Sequence, residues 1–358
     1  METCKSQTKN QSSESCSSAL VAMSGGVDSM AAALLSVRAG LDCAGAYVKM
    51  HESVKSGETD ARAAAGRLGI PFYLFDFTDS FTEHVIERFA KAYCEGRTPN
   101  PCVDCNKHIK FGAFLEKALE LGKDCIVTGH YARIEKDSSG RYLLKKGADF
   151  SKDQSYVLYT LSQEQLSRAS FPLGEMTKEQ SREAAFETGL ADFEKKESQD
   201  ICFLPDGNHA KFITDFTGVP PRKGRFVDYL GNDLGECGGV TRYTIGQRRG
   251  LGLAMPYPPY VIELRPEDGA VVVGKNEMLY SKAFYARDIN VIAIATINTP
   301  LRARVKIRYG HADQPATVRQ TDIDALYIEF DEPQRAITKG QAAVIYDGDV
   351  VLGGGTIE

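Results

Sequence analysis

Two glycines lie inside the six-residue segment Ser24-Gly25-Gly26-Val27-Asp28-Ser29, hereafter the glycine turn, which directly follows an apolar run. Glycine lets backbone N–H groups approach a ligand because it has no Cβ. If a helix starts at the end of the turn, its N-terminus adds unpaired donors and the positive end of a dipole. The pattern predicts a nucleotide phosphate site, without the lysine of the GxxxxGK[ST] loop. The alternative is a turn that only joins a strand to a helix.

A second candidate site is the segment Thr98–Lys107, which contains two prolines and the pair Cys102-x-x-Cys105. The prolines predict an extended, rigid loop, and Cys105 is expected at or just before the N-terminus of a helix that begins near Lys107. That position would lower the thiol pKa and favour the thiolate nucleophile, with Lys110 adding positive charge. A redox dithiol and a zinc site are alternatives, although structural zinc needs four ligands.

Two further positions carry chemically useful side chains. Cys202 lies between apolar residues, so it is either a reactive thiol or a buried structural cysteine. Gly129 and His130 follow a predicted strand, where the glycine could admit a nucleotide base or ribose. His130 fits a catalytic base and a structural histidine equally well.

A cationic strand is predicted near the C-terminus, where Arg302, Arg304, Lys306 and Arg308 alternate with apolar residues. Period-two alternation places all four cations on one face of a strand. Such a face is either a solvated surface or a contact for a polyanion such as RNA. The net charge of −5 means that any nucleic-acid contact must be local.

The elements that would position these residues alternate between strand and helix in the first part of the chain. Strands are predicted over residues 19–23, 43–49, 72–77 and 125–128, and helices over 28–39, 58–68, 81–93, 107–121, 163–169 and 178–188. This βαβα order favours a parallel sheet with helices on both faces. The glycine turn then lies at the carboxyl end of the first strand, where such sheets bind ligands.

After about residue 205, helical periodicity disappears and short β-rich runs follow, which predicts small sheets or a barrel. These runs are residues 224–229, 240–245, 260–264, 270–273, 301–309, 316–319, 325–330 and 342–346. We expect a disordered tail over 1–18, a nucleotide-binding domain over 19–204, a central domain over 205–274 and a C-terminal domain over 275–358.

Composition indicates an ordinary globular protein, with 42% hydrophobic and 25% charged residues in a chain of 358. No apolar stretch approaches the roughly 20 residues that a membrane span needs, and the polar N-terminus does not resemble a signal peptide. A cytoplasmic location is therefore predicted. The nine scattered cysteines do not read as a disulfide framework.

The glycine turn SGGVDS resembles the PP-loop of ATP pyrophosphatases, enzymes that cut ATP between its α and β phosphates. Together with TPNPCVDCNKHIKF, TGHYAR, KDQSYVLYTL, ESQDICF and VTRYTIGQRRGLGL, it resembles the tRNA-specific 2-thiouridylase (MnmA) family from residue 19 to the C-terminus. The resemblance implies an α/β fold with a Rossmann-like parallel sheet in the PP-loop domain, a small β-rich central domain and a C-terminal β-barrel.

The resemblance also implies a reaction. ATP would adenylate the C2 oxygen of the wobble uridine of a tRNA, and a protein persulfide would then supply sulfur to give 2-thiouridine, AMP and pyrophosphate. It implies Mg²⁺ beside ATP, tRNAs for Glu, Gln and Lys as substrates, and a sulfur-relay protein or cysteine desulfurase as the persulfide donor.

Site residues follow from the same resemblance. Cys105 falls on the nucleophile and Cys202 on the persulfide carrier, and these two cysteines would form an alternate disulfide. The ATP site would comprise Ala22, Met23, Ser24, Gly25, Gly26, Val27, Asp28, Ser29, Val48 and Gly129. The target base would meet Asn100, Pro101 and Cys102, and the tRNA would meet Lys152, Asp153, Gln154, Arg308 and Tyr309.

Cys102 departs from the family, because many members carry aspartate there. Either Asp104 or water takes the role of that carboxylate, or the role is dispensable. Three cysteines also raise an iron–sulfur cluster as an alternative, one ligand short of a full set. Two other classes remain open, namely another PP-loop enzyme such as an amidotransferase-type synthetase, and a nucleotide-binding scaffold.

Overall fold

The computed structural model describes residues 16–52, 57–187, 189, 201–204 and 206–358. Seven strands lie in the described residues up to 170: β1 Ser18–Ala22, β2 Asp42–Lys49, β3 Phe72–Asp76, β4 Cys125–Val127, β5 Ala132–Lys136, β6 Tyr142–Lys146 and β7 Ala169–Ser170. Five of them form a parallel sheet in the order β3-β2-β1-β4-β7. The predicted parallel sheet is therefore confirmed, and β1, which the glycine turn follows, is its central strand.

Helices cover both faces of this sheet. They are α1 Val27–Arg38, α2 Glu58–Leu68, α3 Thr78–Phe81, α4 Arg88–Cys94, α5 Pro101–Asp104, α6 Phe114–Glu120, α7 Gln163–Ser167 and α8 Lys178–Glu187, with α9 His209–Thr217 beyond the sheet. Alternate residues of β1 enter opposite cores: Leu20 packs on one side of the sheet, and Ala19 and Val21 pack on the other. This alternation on a strand buried on both faces fixes the sheet between two helical layers.

Two π-helical segments link neighbouring helices. Thr82–Glu87 joins α3 to α4, and Cys105–Ala113 joins α5 to α6. The helix that the sequence predicts to begin at Lys107 therefore begins at Pro101, as α5, and continues through the second π-helical segment. The reason is local, because Pro101 occupies the first helical position, which proline favours, and the Asn100 side chain caps the helix by accepting from the Cys102 N–H at 3.1 Å.

A second sheet follows α9 and has the order β10-β11-β8-β9. Its strands are β8 Gly224–Asp228, β9 Asp233–Cys237, β10 Tyr260–Arg265 and β11 Ala270–Gly274. The strand predicted over 240–245 is wrong, because Val240–Arg242 forms a 3₁₀ turn and a glycine-rich loop follows it. Helix α9 was also not predicted.

The C-terminal strands close into a barrel, which confirms the expected fold. They are β12 Tyr280–Val291, β13 Leu301–Lys306, β14 Gln314–Asp322, β15 Ala325–Arg335, β16 Ala342–Asp347 and β17 Val350–Ile357. The order is β12-β15-β14-β13-β16-β17, and β12 pairs with β17 to close it. The hairpin β5–β6 extends the same sheet, with Val350 of β17 opposite Lys145 of β6.

The barrel is hydrogen-bonded to the segments that carry the candidate site. Thr98, just before α5, donates its N–H to the Lys339 carbonyl at 2.8 Å, and its own carbonyl accepts from the Gln341 side chain at 2.7 Å. Tyr156 donates its hydroxyl to the Ala342 carbonyl at 2.8 Å. The loop that leads to Cys102 and Cys105 is therefore anchored on the barrel.

The cysteines depart from expectation at one pair. Cys16, just before β1, forms a disulfide with Cys125 at the start of β4, with a Cα–Cα distance of 6.0 Å. The other described cysteines are free. Cys4, most of the predicted tail and residues 197–200 of the ESQDICF motif lie outside the described residues. Among the residues that the structure does describe, none of the helices has the length and apolar composition of a membrane span.

Candidate active site

The glycine turn is held in shape by its own hydroxyls and by a neighbouring backbone. Ser29 donates its hydroxyl to the Gly26 carbonyl at 2.8 Å and accepts from the Ser24 N–H at 3.2 Å. Gly25 has φ +76°, and a Cβ there would lie 2.3 Å from the Gly57 carbonyl oxygen. Helix α1 begins without a side-chain cap, so its first N–H groups are left available for an anion.

Asp28, which is half-buried, forms an ion pair with a buried lysine that no local pattern predicts. The Lys178 ammonium at the start of α8 lies 2.7 and 2.9 Å from the two carboxylate oxygens, and the Tyr131 hydroxyl donates to the same carboxylate at 2.8 Å. Lys178 is only 4% exposed. The residue before α1 is Gly26, so Asp28 is not the helix cap. A lysine ammonium from a distant helix therefore lies beside the glycine turn, which itself contains no lysine.

The remaining residues predicted for the ATP site lie around this turn. Met23 is buried and donates its N–H to the Ala46 carbonyl at 2.8 Å, while Ala22 and Val48 are half-buried. At Gly129, a Cβ would lie 2.8 Å from the Asp28 carbonyl carbon. Gly129 is therefore required by its packing against α1, and its contact with a nucleotide stays a prediction.

The structure brings Cys102, Cys105 and Cys202, hereafter the thiol cluster, to one place. Cys105 is buried with its sulfur 3.9 Å from the Met50 sulfur, whereas Cys102 and Cys202 are exposed. Cys102 and Cys105 are three residues apart on one helical face. Thiolate charge on Cys102 or Cys202 would raise the pKa of Cys105, so the three sulfur atoms lie close enough to interact electrostatically.

The predicted low pKa of Cys105 is wrong. Burial raises the pKa of this thiol to about 12, and the nearby Lys110 ammonium offsets only part of that rise. The physical reason is that the helix begins four residues earlier, so Cys105 sits in the second turn among apolar side chains. Cys102 and Cys202 are accessible to solvent as residues, but protein atoms crowd their thiols, and the resulting desolvation raises the pKa of both. Lys110 is again a charge that opposes this rise.

His130 is a buried residue that contacts Lys110, the cation near the thiol cluster. Its Nδ1 lies 2.7 Å from the Thr128 hydroxyl, and its Nε2 lies 3.5 Å from the Lys110 ammonium. Burial and the Lys110 charge hold the pKa of His130 well below its usual value, so the ring is neutral. Because Nε2 faces an ammonium donor, His130 orients Lys110.

Asp104, which could replace the carboxylate that many relatives carry at position 102, is already partnered. Its Oδ1 lies 3.7 Å from the Arg88 guanidinium. Burial raises its pKa, and Arg88 and Lys107 oppose that rise. The cations that act on Asp104 are Arg88 and Lys107, whereas the cation that acts on Cys102 is Lys110, so the two side chains have different charged neighbours.

The segment Lys152-Asp153-Gln154 uses two of its side chains internally. Buried Asp153 accepts from the Ser155 N–H and hydroxyl, both at 3.0 Å, and Gln154 accepts from the Tyr131 N–H at 3.0 Å. An RNA contact through the side chain of Asp153 or Gln154 would therefore have to replace these internal hydrogen bonds.

The cationic strand keeps its predicted alternation, but its charges are partnered. Arg302 forms a bidentate pair with Asp331 at 2.8 and 2.7 Å. Asp331 lies on β15, on the far side of β14, whereas Arg304 pairs with Asp313 just before β14. The fold therefore places aspartates from outside β13 beside its first two arginines, which favours a solvated surface over a polyanion contact at this end of the strand.

The far end of the cationic strand differs from its start. Lys306 lies over the rings of Tyr156 and Tyr309, at 5.6 and 5.5 Å. Arg308, which lies past the end of β13, donates to the Ala336 carbonyl and to the Thr338 hydroxyl. Tyr309 is exposed. Any polyanion contact would therefore concentrate near Arg308 and Tyr309.

The described residues do not provide a ligand set for a metal ion or a metal cluster. Among residues 16–52, 57–187, 189, 201–204 and 206–358, no three His, Cys, Asp or Glu side chains are grouped so that they could hold a metal ion. The thiol cluster therefore does not present the arrangement that the iron–sulfur alternative needs.

The raised pKa of Cys105 makes a labelling prediction. Iodoacetamide reacts with thiolates, so alkylation of Cys105 should be very slow at neutral pH and should rise about tenfold for each pH unit below its pKa. The exposed Cys94 of α4 is the internal reference within the same digest. Peptide mass spectrometry across a pH series measures both. Fast labelling of Cys105 that is already independent of pH near neutrality would contradict the burial argument.

The fold and the site together define an α/β protein whose central parallel strand leads into a glycine turn, with a cluster of thiols linked to that turn through Lys110, His130 and Gly129. A family model described as "tRNA methyl transferase HUP domain" matches residues 17–206. The models "tRNA methyl transferase PRC-barrel domain" and "Aminomethyltransferase beta-barrel domain" match residues 210–275 and 281–357.

Curated relatives resolve the family further. The tRNA-specific 2-thiouridylase MnmA of Clostridioides difficile is 46% identical over 95% of this chain and 97% of its own length. That of Carboxydothermus hydrogenoformans is 46% identical over 95% and 97%. The chain belongs to the MnmA family. A solved NMN synthetase from Francisella tularensis aligns more loosely, with a TM-score of 0.34 and 15% identity over 57% of this chain and 73% of that one.

Proposed function

We propose that this chain is a tRNA-uridine 2-sulfurtransferase, which uses ATP to replace the C2 oxygen of a wobble uridine by sulfur. One connected path carries the proposal. Gly129 packs against Asp28 of the glycine turn, the adjacent His130 lies 3.5 Å from Lys110, and the Lys110 charge acts on all three members of the thiol cluster. Activation by a nucleotide and delivery of sulfur can therefore occur in one site.

The first half-reaction is an adenylation. The C2 oxygen of uridine is a poor leaving group, and transfer of AMP to it creates a good one. The glycine turn, with the open N-terminus of α1, would stabilise the charge that develops on the α phosphate. Ser24, Ser29 and Asp28 offer the oxygen ligands that Mg²⁺ prefers, and bound Mg²⁺ would neutralise phosphate charge. Asp28 would then exchange or share its Lys178 partner.

The second half-reaction delivers sulfur. Cys202 is exposed and is suited to receive a persulfide from a sulfur-relay protein or a cysteine desulfurase. The Cys105 thiolate, a minor species at neutral pH because burial raises the pKa of this thiol, would attack the inner sulfur of this persulfide. The attack would form the Cys105–Cys202 disulfide and release the outer sulfur as hydrosulfide. Hydrosulfide would then attack C2 and expel AMP. The sulfane sulfur gains the two electrons that the two cysteines lose.

The tRNA would be held at the loop before α5 and at the end of the cationic strand. We assign the target base to Asn100, Pro101 and Cys102, and backbone contacts to Lys152, Arg308 and Tyr309. Tight hydrogen bonds between Thr98 and the barrel support one surface that includes both places. Substrates would be the tRNAs for Glu, Gln and Lys, and the domain divisions at 204/205 and 274/275 are part of this proposal.

The direct test is nucleoside analysis. An unmodified wobble-uridine tRNA is incubated with the protein, ATP and a sulfide source, then digested and analysed by mass spectrometry. The expected product is 2-thiouridine at the wobble position, formed together with AMP and absent when a non-hydrolysable α,β-analogue replaces ATP. A methylated uridine, or AMP formation without sulfur in the RNA, would contradict the proposal.

A further inference from the structure

The loop between the 3₁₀ turn Val240–Arg242 and β10 displays two cations that nothing in the described chain neutralises. Arg248 and Arg249 lie in the segment Gly246–Gly252, hereafter the arginine loop, and both side chains are exposed. Neither forms an ion pair or a hydrogen bond through its guanidinium with any described residue. This contrasts with Arg302 and Arg304 of the cationic strand, each of which has an aspartate partner.

The arginine loop is held in one shape. The Gln247 side chain accepts from the Thr244 N–H at 3.1 Å and donates to the Arg249 carbonyl at 3.0 Å, so it joins both ends of the turn. The Gly246 N–H donates to the Val261 carbonyl at 2.8 Å, and the Val261 N–H donates to the Gln247 carbonyl at 2.9 Å. These bonds fix the loop to β10, so binding a ligand would cost little ordering entropy.

The loop also has an apolar base. Leu251 is 7% exposed and packs into the core of the central sheet. Beside it, Arg248, Met255 and Tyr257 line a shallow recess. The Lys275 ammonium lies 5.6 Å from the centroid of the Tyr257 ring and adds a third cation. The Asp228 carboxylate at the edge of this surface is already bonded within its own turn by Asn232.

The position of the arginine loop suggests its partner. A Cβ at Gly246 would lie 3.1 Å from the Cβ of Ala336, and the Ala336 carbonyl accepts from Arg308. The loop is therefore adjacent to the end of the cationic strand, across one buried residue of the barrel. Exposed guanidinium groups on a rigid loop match phosphate oxygens in both charge and geometry.

We infer that the arginine loop binds the sugar-phosphate backbone of the tRNA, and so extends the RNA surface from the barrel onto the central domain. This inference rests on the proposed function. Phosphate contacts of this kind fix the orientation of an RNA without reading its sequence. Their expected mark is a salt-dependent contribution to affinity, with no change in the chemistry at the thiol cluster.

The test compares two doubly neutralised proteins. R248Q/R249Q removes the unpartnered cations, whereas R225Q/R265Q removes the same charge from the same domain at arginines that are paired with Asp233 and Glu263. Binding of a wobble-uridine tRNA is measured across a salt series. For R248Q/R249Q we expect affinity on the order of tenfold weaker at low salt, and a slope of log affinity against log salt that is smaller by about two. The R225Q/R265Q protein should match the wild type.

Three outcomes separate the possibilities. An unchanged salt slope in R248Q/R249Q, with normal tRNA binding by the wild type, overturns the inference and leaves the proposed function standing. Failure of the wild type to bind tRNA overturns the proposed function itself. Normal tRNA binding by R248Q/R249Q, with sulfur transfer lost from a protein donor but kept with inorganic sulfide, would assign the loop to the donor protein and overturn the inference.

Discussion

We expect C105S and C202S each to lower the formation of 2-thiouridine by on the order of a thousandfold or more, while ATP binding and tRNA-dependent pyrophosphate release survive. The reason is that neither residue takes part in the adenylation step of the proposed mechanism, and a hydroxyl cannot carry a persulfide or form a disulfide. Single-turnover incubation with a protein persulfide donor, ATP and tRNA measures both half-reactions in the same sample.

The two cysteine variants should fail at different steps. C105S should accumulate a persulfide on Cys202, because it accepts sulfur but cannot release it. C202S should accept no sulfur at all. Intact-protein mass spectrometry distinguishes the two, and C94S, which alters a free and exposed cysteine of α4, is the matched control. Normal thiolation by either variant would remove that cysteine from the mechanism.

The second large effect is expected at the Asp28–Lys178 pair. D28N and K178M should each lower tRNA-dependent pyrophosphate release by on the order of a hundredfold or more, because each removes a charge beside the glycine turn. D28N should also lower the free energy of unfolding by about 3 kcal/mol, because the buried Lys178 ammonium loses its carboxylate partner. K178M should cost less, because the Asp28 side chain is partly exposed and keeps its hydrogen bond from the Tyr131 hydroxyl. Pyrophosphate release and denaturant unfolding are measured on the same preparations.

The double variant D28N/K178M separates the structural role from the catalytic one. With both charges gone, stability should recover most of the loss, because breaking a buried pair costs more than replacing it. Activity should stay low, since the Asp28 carboxylate that we propose for the ATP site is absent. Recovery of activity together with stability would mean that the pair only supports the fold around α1.

Local patterns predicted the elements whose signals lie within a few residues. Helix α2 was predicted over 58–68 and occupies Glu58–Leu68, because acidic residues start it and Gly69 ends it in the left-handed conformation. The strand, glycine turn and helix around Gly25 were predicted for similar reasons. The identity of the three cysteines that form the thiol cluster was also accessible from the sequence.

Other features depend on contacts between distant residues and had no local signal. Strand β17 contains Gly353-Gly354-Gly355, a run typical of a loop. At Gly354, a Cβ would lie 2.5 Å from the Ala343 carbonyl oxygen and 2.7 Å from the Tyr159 ring, so the strand is possible only because it lacks side chains there. Lys178 is an ordinary lysine in sequence, and only the fold brings it to Asp28. The raised pKa of Cys105 likewise follows from burial.

The hairpin β5–β6 ties the nucleotide-binding domain to the C-terminal barrel, although the sequence predicts a domain boundary at 274/275. These two strands lie between Gly129 and Lys152, yet their hydrogen bonds complete a sheet made from the last eighty residues. A fragment ending near residue 274 would expose the edge of β6, and unpaired edges recruit other chains. Chimeras between relatives should therefore exchange the hairpin together with the barrel, because the two share one hydrogen-bonded sheet and have to match each other at the β6–β17 pairing.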